Sequence, residues 1–492
     1  MEQDYIKLIF GLKLKQIRTD KNLSLFGLSK LSGLSKSYLN EIEKGKKYPK
    51  PDKIIILSEK LEVPYDEMVS LKLDKNLAPV GELLRSKMFK EIPLGLFGIQ
   101  ESDLIDIVSS APVKVNAFIN TIIQIAKHYN VSRESFFLAS VRSYQEANNN
   151  YFGDIEKQVK LFAKEYQVSL QNSLDSGDLA EILAEEYGYS FDDNALNELS
   201  VLGNLRSMFI PKSKTLLLAK GIGEAQRNFI YAKEIAYNYM GIEKRLYTFP
   251  WVKFDSFDEV LNNFYASYFA GALILPQDSL IDDLKTIFQS ATFSHETFLE
   301  IFDSYNASPE SLYRRLTNIL PYAFGMKDLF FLRFSHDKVS GRYELNKELH
   351  LSRQHAPRAN EINEHYCRRW VSLKVLHEIT INKNDHVFDV QLSYYPDEDK
   401  TYLVFSSATK DPFKKEQFRS ISLGLLVNNP LKNKLKFIDD SNIPKRHVGV
   451  TCERCSIVDC EVRQVPAKIL KRQLQNEKIE RIVDELNTTF GK

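Results

Sequence analysis

Three cysteines lie within nine residues of one another near the C-terminus: Cys452, Cys455 and Cys460, in GVTCERCSIVDCEVR. The fourth, Cys367, stands alone in HYCRRW. Thiolates this close repel one another unless they are oxidised or neutralised by a metal. Nothing at the N-terminus (Met1, Glu2, Gln3, Asp4) resembles a secretory signal, so the expected compartment is the reducing cytoplasm, where disulfides do not persist. Against four free buried thiols, the favoured chemistry is a metal centre, either zinc held by four thiolates or an iron–sulfur cluster. The C-x2-C-x4-C run supplies three thiolates from one loop, and Cys367 can complete a set of four. A zinc knuckle more often uses two C-x2-C pairs. Arg368 and Arg369 beside Cys367 lend positive charge that favours a thiolate or an anionic cluster, so iron–sulfur is expected ahead of zinc.

The elements that must position these thiols belong to a long chain. At 492 residues about three domains are expected, and a hydrophobic fraction of 43% suits an ordinary globular protein. No apolar run reaches transmembrane length, YFAGALILP being the longest candidate, so no membrane is expected. The net charge of +1 says nothing about partners, but its distribution does. Residues 1–75 carry a balance of +4 and the remainder −3, which describes a mildly basic N-terminal module on a near-neutral body.

That module reads as five helices over residues 5–71. Ile6, Phe10, Leu14 and Ile17 form an apolar stripe at helical spacing. Ser24 and Ser35 are placed as N-caps, Gly33 makes the turn between them, and Leu39 and Ile42 face inward before Gly45. Pro49 and Pro51 break the chain ahead of a helix carrying Ile54, Leu57 and Leu61. The run GLSKSYLNEIEKGKKYP resembles the repressor-like helix-turn-helix domains of the Xre type. Leu25 stands where that family often places Gln. The resemblance implies double-stranded DNA as partner, with Lys36, Ser37, Tyr38 and Asn40 facing base edges and Lys44, Lys46 and Lys47 near phosphates. It also implies a homodimer, since two recognition helices about 34 Å apart match a palindromic site.

Residues 76–150 read as a helical linker region, including the amphipathic stretch APVKVNAFINTIIQIAKHYNVS, which suits a core contact. Over 150–280, RNFIYAKEIAYNYMG and NNFYASYFAGALILP resemble the ImmA/IrrE zinc peptidases. In that family two His at i and i+4, a general-base Glu and a third ligand on a later helix build the site. Phe229, Ala232 and Glu234 match, whereas the ligand positions hold Lys233, Tyr237 and Asn263. A charged lysine repels a dication, and Tyr and Asn are poor replacements, so a degenerate site and no enzyme activity are expected.

The C-terminal third resembles the short-chain fatty acyl regulators, a group that includes the propionate-catabolism activator of actinobacteria. The carrying segments are SPESLYRRLTNIL, DLFFLRFSHDKVSGRYE, HYCRRW and GVTCERCSIVDCEVRQVP, with all four cysteines at the family's cysteine positions. C-P-x-W is C-R-R-W here, and C-R-x-C-x-R is C-E-R-C-S-I. The resemblance implies a 4Fe-4S cluster held by Cys367, Cys452, Cys455 and Cys460, and an acyl-CoA effector. Arg314, Arg315, Arg333, Arg342 and Arg353 are pyrophosphate candidates only by proximity in sequence. The expected fold is mainly α with an α+β C-terminal part. In order it comprises a helix-turn-helix domain (1–75), the helical linker (76–150) and a degenerate peptidase-like helical middle (151–307). A sensor domain with a small antiparallel sheet and the cysteine site (308–466) follows, and then an amphipathic helix (467–492) that is either core or a dimer contact.

Overall fold

The computed structural model describes residues 2–71, 133–171, 173–196, 205–249, 254–351, 364–381, 384–411, 414 and 416–490. The expected helical stretch at 111–132 and Arg353 lie outside them. The chain divides into two compact units, residues 1–144 and 145–492.

The first unit contains α1 (Glu2–Asp20), α2 (Leu25–Ser32), α3 (Lys36–Glu43), α4 (Pro51–Leu61) and α5 (Tyr65–Val69). Local chemistry sets their boundaries. Ser24 Oγ accepts the N–H of Gly27 at 2.9 Å, and Ser35 Oγ accepts that of Tyr38 at 3.2 Å. Gly33, at φ 72°, ends α2 in the left-handed region that a side chain would disfavour. Phe10, Leu14, Leu28, Leu39, Ile42 and Leu57 meet in one core. Arg18 donates to both carboxylate oxygens of Glu43, at 2.6 and 2.9 Å, and so ties α1 to the end of α3.

After α6 (Arg133–Ala147), the second unit opens with α7 (Gly153–Glu165), α8 (Ser176–Tyr187), α9 (Glu224–Tyr239) and α10 (Phe257–Ile274). The expected helical middle also holds a four-stranded mixed sheet. Its strands are β1 (Ser190–Asp192), β2 (Ser207–Ile210), β3 (Thr215–Leu218) and β4 (Thr248–Phe249), in the order β1-β3-β2-β4. Strands of two to four residues are too short to display alternation in the sequence. Helices α9 and α10 pack against each other, with Ala232, Ala236, Ala266 and Phe269 fully buried.

Three helices follow, α11 (Gln277–Gln289), α12 (His295–Ser304) and α13 (Pro309–Phe324), and then the larger sheet. It comprises β5 (Leu329–Asp337), β6 (Tyr343–His350), β7 (His386–Tyr395), β8 (Lys400–Lys410), β9 (Gln417–Leu426) and β10 (Lys445–His447), in the order β10-β7-β8-β9-β5-β6. The small antiparallel sheet expected from the sequence is thus six-stranded and mixed, because β10 runs parallel to β7. The long strands β8 and β9 are buried through a continuous central run of seven and eight residues. Sheets read this way when both faces are covered. Helix α14 (Val371–Ile381) packs on β7, β8 and β9, while α13 packs on β5 and β9.

The last helix, α15 (Lys468–Phe490), leaves Leu474, Ile479, Ile482, Val483 and Leu486 exposed. Its apolar stripe is therefore not part of a core. Among the described residues no helix is long and apolar enough to cross a membrane.

Candidate functional site

The cysteine site is assembled by one short pairing. Tyr366 and Thr451 form an antiparallel bridge, flanked by Cys367 N–H to Val450 O at 3.1 Å and Cys452 N–H to His365 O at 2.8 Å. This clasp brings the isolated Cys367 to the Cys452–Cys460 loop. The indole of Trp370 donates to Gly449 O at 2.8 Å, which gives the Trp of C-R-R-W a structural task. A Cβ on Gly449 would stand 2.7 Å from Cys455 Sγ, so only glycine lets the two segments close. Glu364 accepts from Thr451 Oγ1 at 2.6 Å and from both Nε and NH2 of Arg454, fastening the same clasp from outside.

All four cysteines are free thiols and border one recess of about 240 Å3, counting its open mouth. Arg368, Thr451, Val462 and Arg463 complete the lining, which contains no carboxylate. Cys367, Cys452 and Cys455 are buried and Cys460 is half-buried. Arg463 donates to the carbonyls of Cys452, Cys455 and Ile457, holding the loop by its backbone. Sequence reasoning passed over Arg463 because nothing in its spacing distinguishes it from a surface arginine. Of the two arginines expected to charge the site, Arg368 lines the recess and stacks 3.8 Å over Tyr343. Arg369 is turned to the carbonyls of Asp459 and His447.

Burial pushes the Cys367 thiol up to about 11, opposed by the backbone N–H groups of Gly449 and Arg369. Burial also raises Cys455, against the N–H of Ile457 and the charge of Arg463. The N–H of Gln464 points at Cys452 Sγ at 3.5 Å. Amide donors aimed at three sulfurs are the surroundings that thiolate ligands use. Among the described residues, however, no three His, Cys, Asp or Glu side chains are gathered as ligands of a single ion. Four thiols with amide donors aimed at three of them, and two arginines in the lining, have the chemistry that suits an anionic metal–thiolate centre.

The three positions that the peptidase resemblance picks out do converge. Lys233 and Tyr237 share a face of α9 and both donate to Asn263 Oδ1 of α10, at 2.6 and 3.3 Å. The would-be ligand positions thus close on one another by hydrogen bonds. Burial pulls Lys233 down to about 7. Glu234 is ion-paired with Arg245 and accepts from Tyr189 OH at 2.9 Å, so its carboxylate is committed.

On α3, Lys36, Ser37 and Asn40 are exposed and Tyr38 is half-buried. Lys46 and Lys47 are exposed just beyond the helix, with Lys47 lying 5.4 Å over the Tyr38 ring and 3.4 Å from Glu41, while Lys44 is half-buried. The buried Leu39 and Ile42 fix the rotation of the helix and present that face outward.

One pyrophosphate candidate from the sequence does not hold. Arg315 is wholly buried in a bidentate pair with Glu156, so it cannot reach a ligand. Arg342 is exposed at the β5–β6 turn.

The helix-turn-helix family model matches residues 14–68, the five-helix segment just described. The N-terminal domain is therefore a helix-turn-helix domain, and the class is that of DNA-binding regulators. A solved structure of a Mycobacterium tuberculosis transcriptional regulator is similar, at TM-score 0.47 and 17% identity. The match covers 66% of this chain and 93% of that one. No curated protein sequence matches the chain.

If α3 enters the major groove, Asn40 meets a base edge. Asn40→Ala should then lose about 1–3 kcal/mol on the cognate site and little on random DNA. Equal losses on both, in a titration at fixed salt, would make the contact non-specific.

Proposed function

We propose that this chain is a transcription regulator that reads a palindromic DNA site as a homodimer. Its region 308–466 senses an acyl-CoA-like metabolite, redox state or both through an iron–sulfur cluster on Cys367, Cys452, Cys455 and Cys460. The observation that carries this reading is the Tyr366–Thr451 clasp, which gathers all four thiols at one recess. Positive charge from Arg368 and Arg463 in the lining, with amide N–H groups aimed at the sulfurs, supports a cluster over zinc. When bound, such a cluster supplies a one-electron redox centre or an oxidant-sensitive prop for the fold. The chain's own residues bury it, donate hydrogen bonds to its thiolates and tie the loop down through Trp370 and Arg463.

The exposed stripe of α15 supports a dimer contact. The middle region is a former peptidase scaffold whose site is plugged by Lys233, Tyr237 and Asn263. Full-length protein purified without oxygen should carry iron and acid-labile sulfide in comparable amounts, shift a specific DNA fragment and hydrolyse no peptide with added zinc. One zinc per chain and no iron, even after anaerobic reconstitution with iron and sulfide, would refute the cluster. Zinc-dependent cleavage abolished by Glu234→Gln would refute the plugged site.

A further inference from the structure

The four thiols are not held alike. Cys367 and Cys452 sit in the Tyr366–Thr451 clasp, each donating its own N–H across it, and the carbonyls of Cys452 and Cys455 accept from Arg463. Each of these three sulfurs also has an amide N–H aimed at it. Cys460 is held only from within its own loop. Its N–H donates to Val458 O at 3.2 Å, and its carbonyl accepts from the N–H of Arg463 at 3.1 Å. Among the described residues no hydrogen bond reaches its sulfur.

Exposure follows the same division. Cys367, Cys452 and Cys455 are 5%, 6% and 6% exposed. Cys460 is half-buried, and its neighbours on both sides, Asp459 and Glu461, are exposed. Val458 and Val462 flank it at 87% and 40% exposure, and Val462 lines the same recess. Residues 456–467 contain no helix or strand, so few contacts resist a local opening there. The stretch is fixed at its start, where Ser456 Oγ donates to Asp397. A second tie from outside the loop lies beside Cys460, where Arg369 donates to Asp459 O at 3.0 Å. Arg369 stands two residues after Cys367, so one short segment carries both a firmly held thiol and the latch on the loose one.

We propose that Cys460 is the displaceable ligand of the cysteine centre, the point at which a one-electron oxidant begins to take it apart, and that Arg369 is the positioning residue that keeps it closed. The inference rests on the iron–sulfur reading above. A four-iron core of charge 2+ gives one electron to the oxidant and releases one Fe2+, which leaves a three-iron core of charge 1+ on Cys367, Cys452 and Cys455. The bond that breaks is Fe–S at Cys460. Both of its electrons stay on sulfur, and the freed thiolate takes a proton from water. This step concerns a centre already formed, whose assembly needs all four thiols. A ligand that is exposed and lacks amide support is the one that gives way first.

Full-length protein loaded with iron and sulfide without oxygen is treated with one equivalent of ferricyanide per cluster, with iodoacetamide present and a ferrous chelator as indicator. One ferrous iron per cluster should appear while acid-labile sulfide is retained. Peptide mass mapping should find the first carbamidomethyl group on Cys460, and without ferricyanide no cysteine should be labelled. Arg369→Met should release that iron about tenfold faster than the parent, the loss expected for one hydrogen bond from a charged donor. A first label on Cys367, Cys452 or Cys455, or on all four together, overturns the proposal and leaves the cluster standing. Release from Arg369→Met at the parent's rate overturns the latch. A loaded chain that holds zinc and no iron or sulfide sinks the cluster reading itself, and the displaceable ligand with it.

Discussion

Serine at Cys367 should strip iron and sulfide together from the C-terminal region, as should serine at Cys452, Cys455 or Cys460. A hydroxyl is a weaker ligand than a thiolate for the soft iron–sulfur core. Cys367 is the most informative of the four, because it comes from a distant segment that the Tyr366–Thr451 clasp brings to the others. Metal binding energy is also folding energy, so each variant should be cut faster by protease near residue 450. The helix-turn-helix domain has its own core and should still bind DNA while regulation is lost. Full iron retained in Cys367→Ser, with loss in the other three, would mean three protein ligands and an open iron position in place of a four-thiolate cage.

Removing the carboxylate of Glu156 should cost the second unit about 3–5 kcal/mol, because it leaves the Arg315 charge buried and unpaired. Arg315 is 1% exposed. It donates to both oxygens of Glu156 at 2.6 and 2.9 Å, and through Nε to Leu275 O at 2.9 Å. Tyr268 OH adds a further bond to Glu156 at 2.8 Å, so the pair joins α7, α10 and α13. Urea unfolding of Glu156→Leu should show the loss. The double variant Glu156→Leu/Arg315→Met should recover most of it, since two apolar groups of similar volume carry no desolvated charge. A double variant no better than the single would show that the two residues do not act as a pair.

The helix-turn-helix domain was legible because its determinants are local. The Ser24 and Ser35 caps, the turn at Gly33 and the inward Leu39 and Ile42 act within about one helical turn, the range over which sequence spacing is geometry. The shared face of Lys233 and Tyr237 was legible for the same reason. The short strands β1 to β4 were not, since two to four residues carry no measurable period. Arg315 was misplaced because its environment is decided by a carboxylate 159 residues away.

The sequence by itself determined which groups exist for chemistry: four thiols in a chain with no others, a capped helix-turn-helix pattern with a basic flank, and Lys233 and Tyr237 one helical turn apart. The tertiary structure alone decided which of them meet. The Tyr366–Thr451 bridge adds Cys367 to the thiol loop, and the packing of α9 on α10 closes Lys233 and Tyr237 onto Asn263. Spacing along a chain reports only neighbours a few residues apart. Contacts between distant segments are chosen by the burial of a shared core, to which each segment contributes only part of the free energy.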